Sequence, residues 1–446
     1  MNVIEGRIRA AAQAAGNTVS PDSVPPLELP AEYPREASWR RQGWLVPVAA
    51  AAAVFVLVAV TVVTVRQVTR TPAPSIPPAA MTLGPMRPGP SLASYVSSGT
   101  IPPYFVAVAF TGQAAKSPSV AVVHDTVSGR ALATIKPSIR GGTIRAVSAA
   151  GDDRTFVLDE QPWVKYNSVI SAVTEYPGPH TFYLLRLSSA GRVSSLTRLR
   201  VTVPATQALN AFALSPDGQR LALAVEPRKG PARTELKVVT LSTGSTRVWA
   251  ATGYFRSGAG DPRGLSWTAD GRELAFEWQA NNVGEYPGVE ARLLNLTSAD
   301  GDLLAASRRV ITTTRQFKPS GSSFQVADAE FDPVVTPDGS AIVTNTSYFQ
   351  VKTKESGQAW NGRFGFAEYS TRTGKLVRIL GYWKVKPAGY WFIQALWSSP
   401  SGRVLIGIIP DGRIGVINGN EFTPLNMPPV PSVVMDVSLG AGAGAW

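Results

Sequence analysis

The chain of 446 residues contains no cysteine and only two histidines. The first absence excludes disulfides, thiolate-bound zinc and cysteine nucleophiles, and it carries no information about the redox compartment. The second leaves His124 and His180, far apart in sequence and each beside a strand-like run, which reads them as structural or surface residues rather than ligands. Also missing are a Gly-x-Ser-x-Gly elbow, a phosphate-cradling glycine loop, any metal-ligand spacing and a Ser, His and Asp constellation. The stretch SADGD, residues 298–302, lacks the further oxygen ligands of a calcium loop. The expectation is a chain that is not an enzyme and uses no metal and no cofactor, with no nucleic acid among its partners. From about Tyr104 onward long helical periods are absent too, while 36 prolines and 40 glycines accompany 44% hydrophobic residues in the whole chain. Such a composition favours many turns and an all-β class.

Charge is missing from one place where its absence matters. Leu45–Val65, LVPVAAAAAVFVLVAVTVVTV, runs 21 residues without a charged side chain. At about 1.5 Å per residue this is roughly 31 Å of helix, the thickness of a bilayer's hydrocarbon core. Trp39 and Trp44 stand at its front edge and Pro47 falls in its first turn. Arg40 and Arg41 precede it and Arg66 and Arg70 follow, so local charge sets no strong orientation. A short leading tail and a large following domain fit a signal anchor with the amino terminus in the cytoplasm. The formal charge of +12 lies wholly beyond the span, where 38 of the 43 basic and 26 of the 31 acidic residues are found. In the tail, residues 3–15 read as a short helix with a Glu5–Arg9 pair and Gly16 as its stop, either a docking segment for a cytoplasmic partner on residues 1–16 or a weakly ordered tail. Thr69–Pro90 carries seven prolines and reads as a polyproline II spacer. The resulting division is a tail over 1–43, a transmembrane helix over 44–66, a Pro-rich linker over 67–103, a folded domain over 104–430 and a C-terminal tail over 431–446.

Within the folded domain one pattern returns. FALSPDGQRLALAV (212–225) recurs as LSWTADGRELAFEW (265–278), PVVTPDGSAIVTN (333–345) and LWSSPSGRVLIGII (396–409), and each is followed by a second hairpin. Looser copies occupy 104–135 and 144–201, which makes six units of two hairpins each. Four strands repeated radially are a β-propeller blade, so the fold expected is all-β, a six-bladed propeller behind one N-terminal transmembrane helix, or seven-bladed if 308–332 holds another blade. The recurring Asp-Gly turn suits a tight reversal, with Gly accepting positive φ and Asp bonding nearby backbone. These units resemble the repeats of TolB-type and related WD-like propellers over most of 104–427. The resemblance implies architecture and says little of activity.

In such a blade the first-to-second and third-to-fourth turns share one end, and here they are short. The opposite end collects long, aromatic connections, and Glu-Tyr-Pro-Gly occurs there twice, at 175–178 and 285–288. Trp163, Tyr166, Tyr176, Tyr286, Trp360, Tyr382, Trp383, Tyr390 and Trp391 are therefore the candidate ligand-binding residues. The function expected is a single-pass membrane protein, held in lipid by residues 45–65, whose extracytoplasmic propeller binds a protein or cell-envelope polymer. The alternatives are a transmembrane regulator of the anti-sigma kind, though its zinc-binding His and Cys motif is absent, and a wall-directed enzyme.

Overall fold

The computed structural model describes residues 87–110, 118–162, 178–229, 233–252, 264–279, 289–313, 318–320, 323–328, 333–354, 357–385, 394–399, 401–408, 413–426 and 444–445. All lie in the compact unit Pro72–Trp446. Among them no helix is long and apolar enough to cross a membrane, and Leu45–Val65 lies outside the described residues.

Six antiparallel sheets form a ring of blades. Blade 2 runs Gly142–Ala149, Thr155–Pro162, His180–Leu187, Val193–Val203, and blade 3 runs Gln207–Leu214, Arg220–Pro227, Arg233–Thr240, Thr246–Thr252. Blade 4 is Leu265–Trp267, Glu273–Gln279, Val289–Asn295, Ser307–Thr313, and blade 5 is Val334–Val335, Ala341–Lys354, Gly357–Ser370, Leu376–Val385. Blade 6 is Gln394–Ser398, Leu405–Ile408, Ile414–Asn418, Glu421–Pro424. Blade 1 departs from the sequence reading. Residues 104–135 supply only three of its strands, Tyr104–Phe110, Ser119–Asp125 and Ala131–Ile135, and the innermost comes from Gly444–Ala445, paired with Val106 and Ala107. The innermost strands neighbour one another all the way round, and Gly444–Ala445 stands between those of blades 6 and 2. A strand from the far end of the chain thus closes the ring.

The apparent spare segment is not a seventh blade. Lys318–Ser320 and Ser323–Asp328 form a hairpin that pairs with Ser347–Lys352 and widens the sheet of blade 5. The beginning of the domain is also tied down: Arg87–Pro88 pairs in parallel with Glu421–Phe422, and helix α1, Leu92–Ser97, buries Leu92 and Tyr95 against Phe105, Ile406 and Val416 between blades 6 and 1.

The repeat's alternation of Leu and Ala follows from burial on both sides of a blade. In blade 3, Phe212, Leu221, Leu223 and Val225 face blade 2 together with Phe182 and Val201. The intervening Ala211, Ala213, Ala222 and Ala224 face blade 4, where they make room for Trp267, Phe276 and Trp278. Trp249 and Trp278 are at most 1% exposed. Removing either ring would cost about 3–5 kcal/mol, as large-to-small changes in tight cores do.

The Asp-Gly turn is built the same way in successive blades. Gly218, Gly271, Gly339 and Gly402 have φ of 65 to 70°. The residue opening each turn, Ser215, Thr268, Thr336 or Ser399, accepts the N–H five residues on at its hydroxyl oxygen, and in the first three turns that hydroxyl donates to the turn aspartate. Asp270 and Asp338 are held below the ordinary carboxylate range, first by the N–H groups of Arg272 and Ser340. Their contribution to stability is therefore present above that range and is lost as pH falls through their lowered pKa values. The turns also bond across blades: Gly151 N–H donates to Pro216 O at 2.9 Å, Ala269 N–H to Pro337 O at 2.8 Å, and Arg220 to Gly271 O at 3.0 Å. Thr336→Val should strand the buried Ala341 N–H and cost about 1–3 kcal/mol in urea unfolding with the slope unchanged.

Candidate functional site

With one end of the ring occupied by short, cross-bonded turns, the chemistry has to be sought at the other, where the second strand of each blade meets its long connection to the third. Blades 2, 4 and 5 bring Asp159, Glu277 and Asn345 to equivalent positions there, each nine residues past the residue that opens the turn (Ala150, Thr268, Thr336). All three are buried, at 1%, 3% and 4% exposure. Ala224 and Ile408 hold that position in blades 3 and 6. A buried carboxylate costs several kcal/mol, on the order of a lost ion pair, unless it is bonded.

In blade 2 the bonding is explicit. His180 Nδ1 lies 2.9 and 3.0 Å from the two oxygens of Asp159, so that nitrogen carries the proton. The other ring nitrogen is 2.6 Å from Gln161 Nε2 and accepts its amide proton. Gln161 Oε1 accepts in turn from Arg145 Nη1 at 3.0 Å, and Gln161 Nε2 reaches Gly178 O at 3.3 Å. Donors and acceptors balance along the chain, with His180 donating at Nδ1 and accepting at Nε2. Gln161 and His180 flank the long connection between the second and third strands, so this chain of bonds pins its base. A side chain at Gly178 would collide with the Pro162 ring. With its second nitrogen capped and buried, His180 acts as a brace. His124, the other histidine, bonds Gly129 O at 2.9 Å and stacks on Phe105.

Two more acids line this end. Glu160, whose carboxylate accepts the Ile139 N–H, has its pKa raised chiefly by burial, and burial likewise raises Glu226 against the bond from Asn210. Among the described residues no three His, Asp or Glu side chains stand close enough together to hold a metal ion. SADGD has structural duties: Asp300 pairs with Arg247 at 2.7 Å, and Asp302 caps helix α2, Leu303–Ala306.

Of the nine aromatic candidates, Trp163, Tyr166, Tyr176, Tyr286, Tyr390 and Trp391 lie outside the described residues. Trp360, Tyr382 and Trp383 sit in blade 5, whose two central strands run 14 residues each. At about 3.3 Å per residue such a strand spans roughly 45 Å, against roughly 25 Å for an eight-residue strand. The extra length emerges at the long-connection end. Register pairs Trp360 with Val351 and Phe364 with Ser347 and Trp383, while Tyr382 pairs with Gly365. Sequence reading found these aromatics as loop residues. It missed the Asp159–His180–Gln161–Arg145 chain, whose only sequence signal is polar residues interrupting an apolar strand.

This fold and site define a six-bladed β-propeller with one elaborated end. No protein-family model and no curated protein sequence matches the chain. Similar solved structures include the hydrazine synthase of Kuenenia stuttgartiensis, 13% identical over 68% of this chain and 71% of that one, with a TM-score of 0.37. Sqt1 of Chaetomium thermophilum, bound to the N-terminus of a ribosomal protein, is 13% identical over 73% of this chain and 88% of its own at a TM-score of 0.36. A puromycin hydrolase is 17% identical over 77% of this chain at a TM-score of 0.34, and this chain covers only 47% of it. At these scores none of the likenesses assigns an activity or a partner. The expectation that the chain is not an enzyme is corrected: it rested on absent motifs alone, which exclude no activity, and a dipeptidyl aminopeptidase IV, prolyl endopeptidases, the puromycin hydrolase and an apocarotenoid oxygenase are among the matched structures.

His180→Ala should cost about 2–4 kcal/mol by leaving Asp159 buried and unpaired, and adding Asp159→Ala should recover part of that loss in urea unfolding. Glu226→Gln should raise the melting temperature at pH 7, because the native state disfavours this carboxylate's charge, and the gain should shrink as pH falls below the raised pKa and Glu226 protonates.

Proposed function

We propose that this chain is a single-pass membrane protein that carries its β-propeller outside the membrane and uses the long-connection end to bind a protein or envelope polymer. The observation that carries the reading is the asymmetry of the ring. One end is closed by short turns bonded blade to blade, and the other holds the sheet overhang of blade 5 and the braced connection of blade 2. Long segments set on a rigid scaffold are where recognition concentrates. The uncharged Leu45–Val65 supports the anchor, and the prolines of Thr69–Pro90 support a stalk.

A second reading, a transmembrane regulator, draws on the short helical pattern of residues 3–15, which would hold a cytoplasmic factor while the propeller senses a ligand. An enzyme acting on envelope glycans or peptides would share the topology and is separated from a binder by turnover of substrate.

The absence of cysteine makes topology directly testable. In intact cells a membrane-impermeant maleimide should label Val377→Cys, whose native side chain is 56% exposed, and should label Ala12→Cys only after permeabilisation. The reverse pattern, or labelling of both, contradicts the anchor. Changing Tyr286, Trp383 and Trp391 to Ala should abolish ligand retention with little change in melting temperature.

A further inference from the structure

The outer strand of a blade has one unpaired edge, and this chain fills such edges with its own segments in two blades. Arg87–Pro88 adds to blade 6 and Gly301–Asp302 adds to blade 3. The blade 3 case shows how the added strand is recognised. Arg247, on the edge strand, holds the Asp300 carboxylate at 2.7 Å, the Val248 N–H reaches it at 3.4 Å, and Trp249 Nε1 donates to Ala299 O at 2.9 Å. An acidic extended segment is thus read by an arginine and by free edge backbone.

Blade 2 has the longest outer strand among the described residues, Val193–Val203, and no strand is added to it there. Arg198 and Arg200 are exposed along it, Arg192 precedes it, and none of the three makes an ion pair among the described residues. Glu160 senses Arg198 without pairing to it. Arginine on an edge strand also discourages self-association, but that role does not account for apolar exposure at the same place. Three large apolar side chains are exposed among the described residues, and two of them, Val193 and Leu196, are on this strand, at 40% and 37%. Leu196 and Arg198 pair with Leu185 and Tyr183, which pack toward blade 1; the register slips between Arg198 and Thr202, but Leu199 and Val201 pack toward blade 3, so Arg200 falls on the same side as Leu196 and Arg198. Lys136 and Arg140, also exposed, follow the outer strand of blade 1.

We infer that the free edge of Val193–Val203 is a docking site for an extended acidic peptide segment of a partner protein. The segment adds as a further strand, its carboxylates on Arg198 and Arg200 and an apolar residue on Leu196. The surface is distinct from the long-connection end and would stand if that end bound nothing.

The test uses the full chain in detergent, a fluorescent peptide alternating aspartate with valine, its lysine-for-aspartate counterpart, and phosphatidylserine vesicles. The aspartate peptide should bind, the lysine peptide should not, and added salt should weaken the complex. The double variant Arg198→Glu, Arg200→Glu should lose about tenfold or more in affinity, as reversal of facing charges does, with its melting temperature unchanged. Hydrogen exchange should slow across 193–203 on binding, as pairing of edge amides requires. Failure of the aspartate peptide to bind, binding without protection of 193–203, or arginine-dependent binding of the vesicles alone would each overturn the inference.

Discussion

The hydroxyl that opens each Asp-Gly turn sets the geometry on which the ring depends. Thr336, buried at 2%, holds both the Asp338 carboxylate and the Ala341 N–H, so the first two strands of its blade can meet in only one way. The turn glycine then serves a second purpose. Cβ atoms placed on Gly339 and Gly402 would come within 3.2 and 3.0 Å of Thr268 and Thr336 of the preceding blades. Each turn therefore fits against its predecessor, and the repeat that fixes a hairpin also fixes the spacing of blades. With that end committed to assembly, elaboration is confined to the other.

Packing carries the same logic into the core. A blade buried on both faces needs complementary sizes on its neighbours, and blade 3 meets the tryptophans of blade 4 with four alanines. Closure by Gly444–Ala445 spares Tyr104–Phe110 an exposed inner edge, which would otherwise be a site for unwanted pairing. At the open end, polarity is admitted only where it is bonded, and the Asp159–His180–Gln161–Arg145 chain spends two buried ionisable groups on fixing the base of one connection.

Much of this was legible in the residues because local chemistry determined it. Ser-Pro-Asp-Gly announces its own turn, and period-two alternation announces strands buried on both sides. What escaped sequence reading was decided by contacts distant in the chain. Nothing in Gly444–Ala445 signals a partner at Val106 and Ala107, and Arg87–Pro88 reads as spacer until Glu421–Phe422 lies beside it. Residues 318–328 have strand character but no turn of the repeat, which is why they could be taken for a further blade when they widen blade 5. Helix α2 is four residues long, too short for any period, and depends on the Asp302 cap. The candidate site was read as a set of loop aromatics, whereas three of those residues occupy strands and their grouping depends on a register that composition does not encode.

The central claim is that the two ends of the ring are functionally unlike. Cross-linking and mass spectrometry on the tagged, membrane-resident protein tests it most directly. The account predicts that partner cross-links gather on the long-connection end, around blade 5 residues 346–362 and the connection between Gln161 and His180, and spare the Ser/Thr-x-Asp-Gly turns. Cross-links gathered on those turns, or found only on residues 1–43, would contradict it.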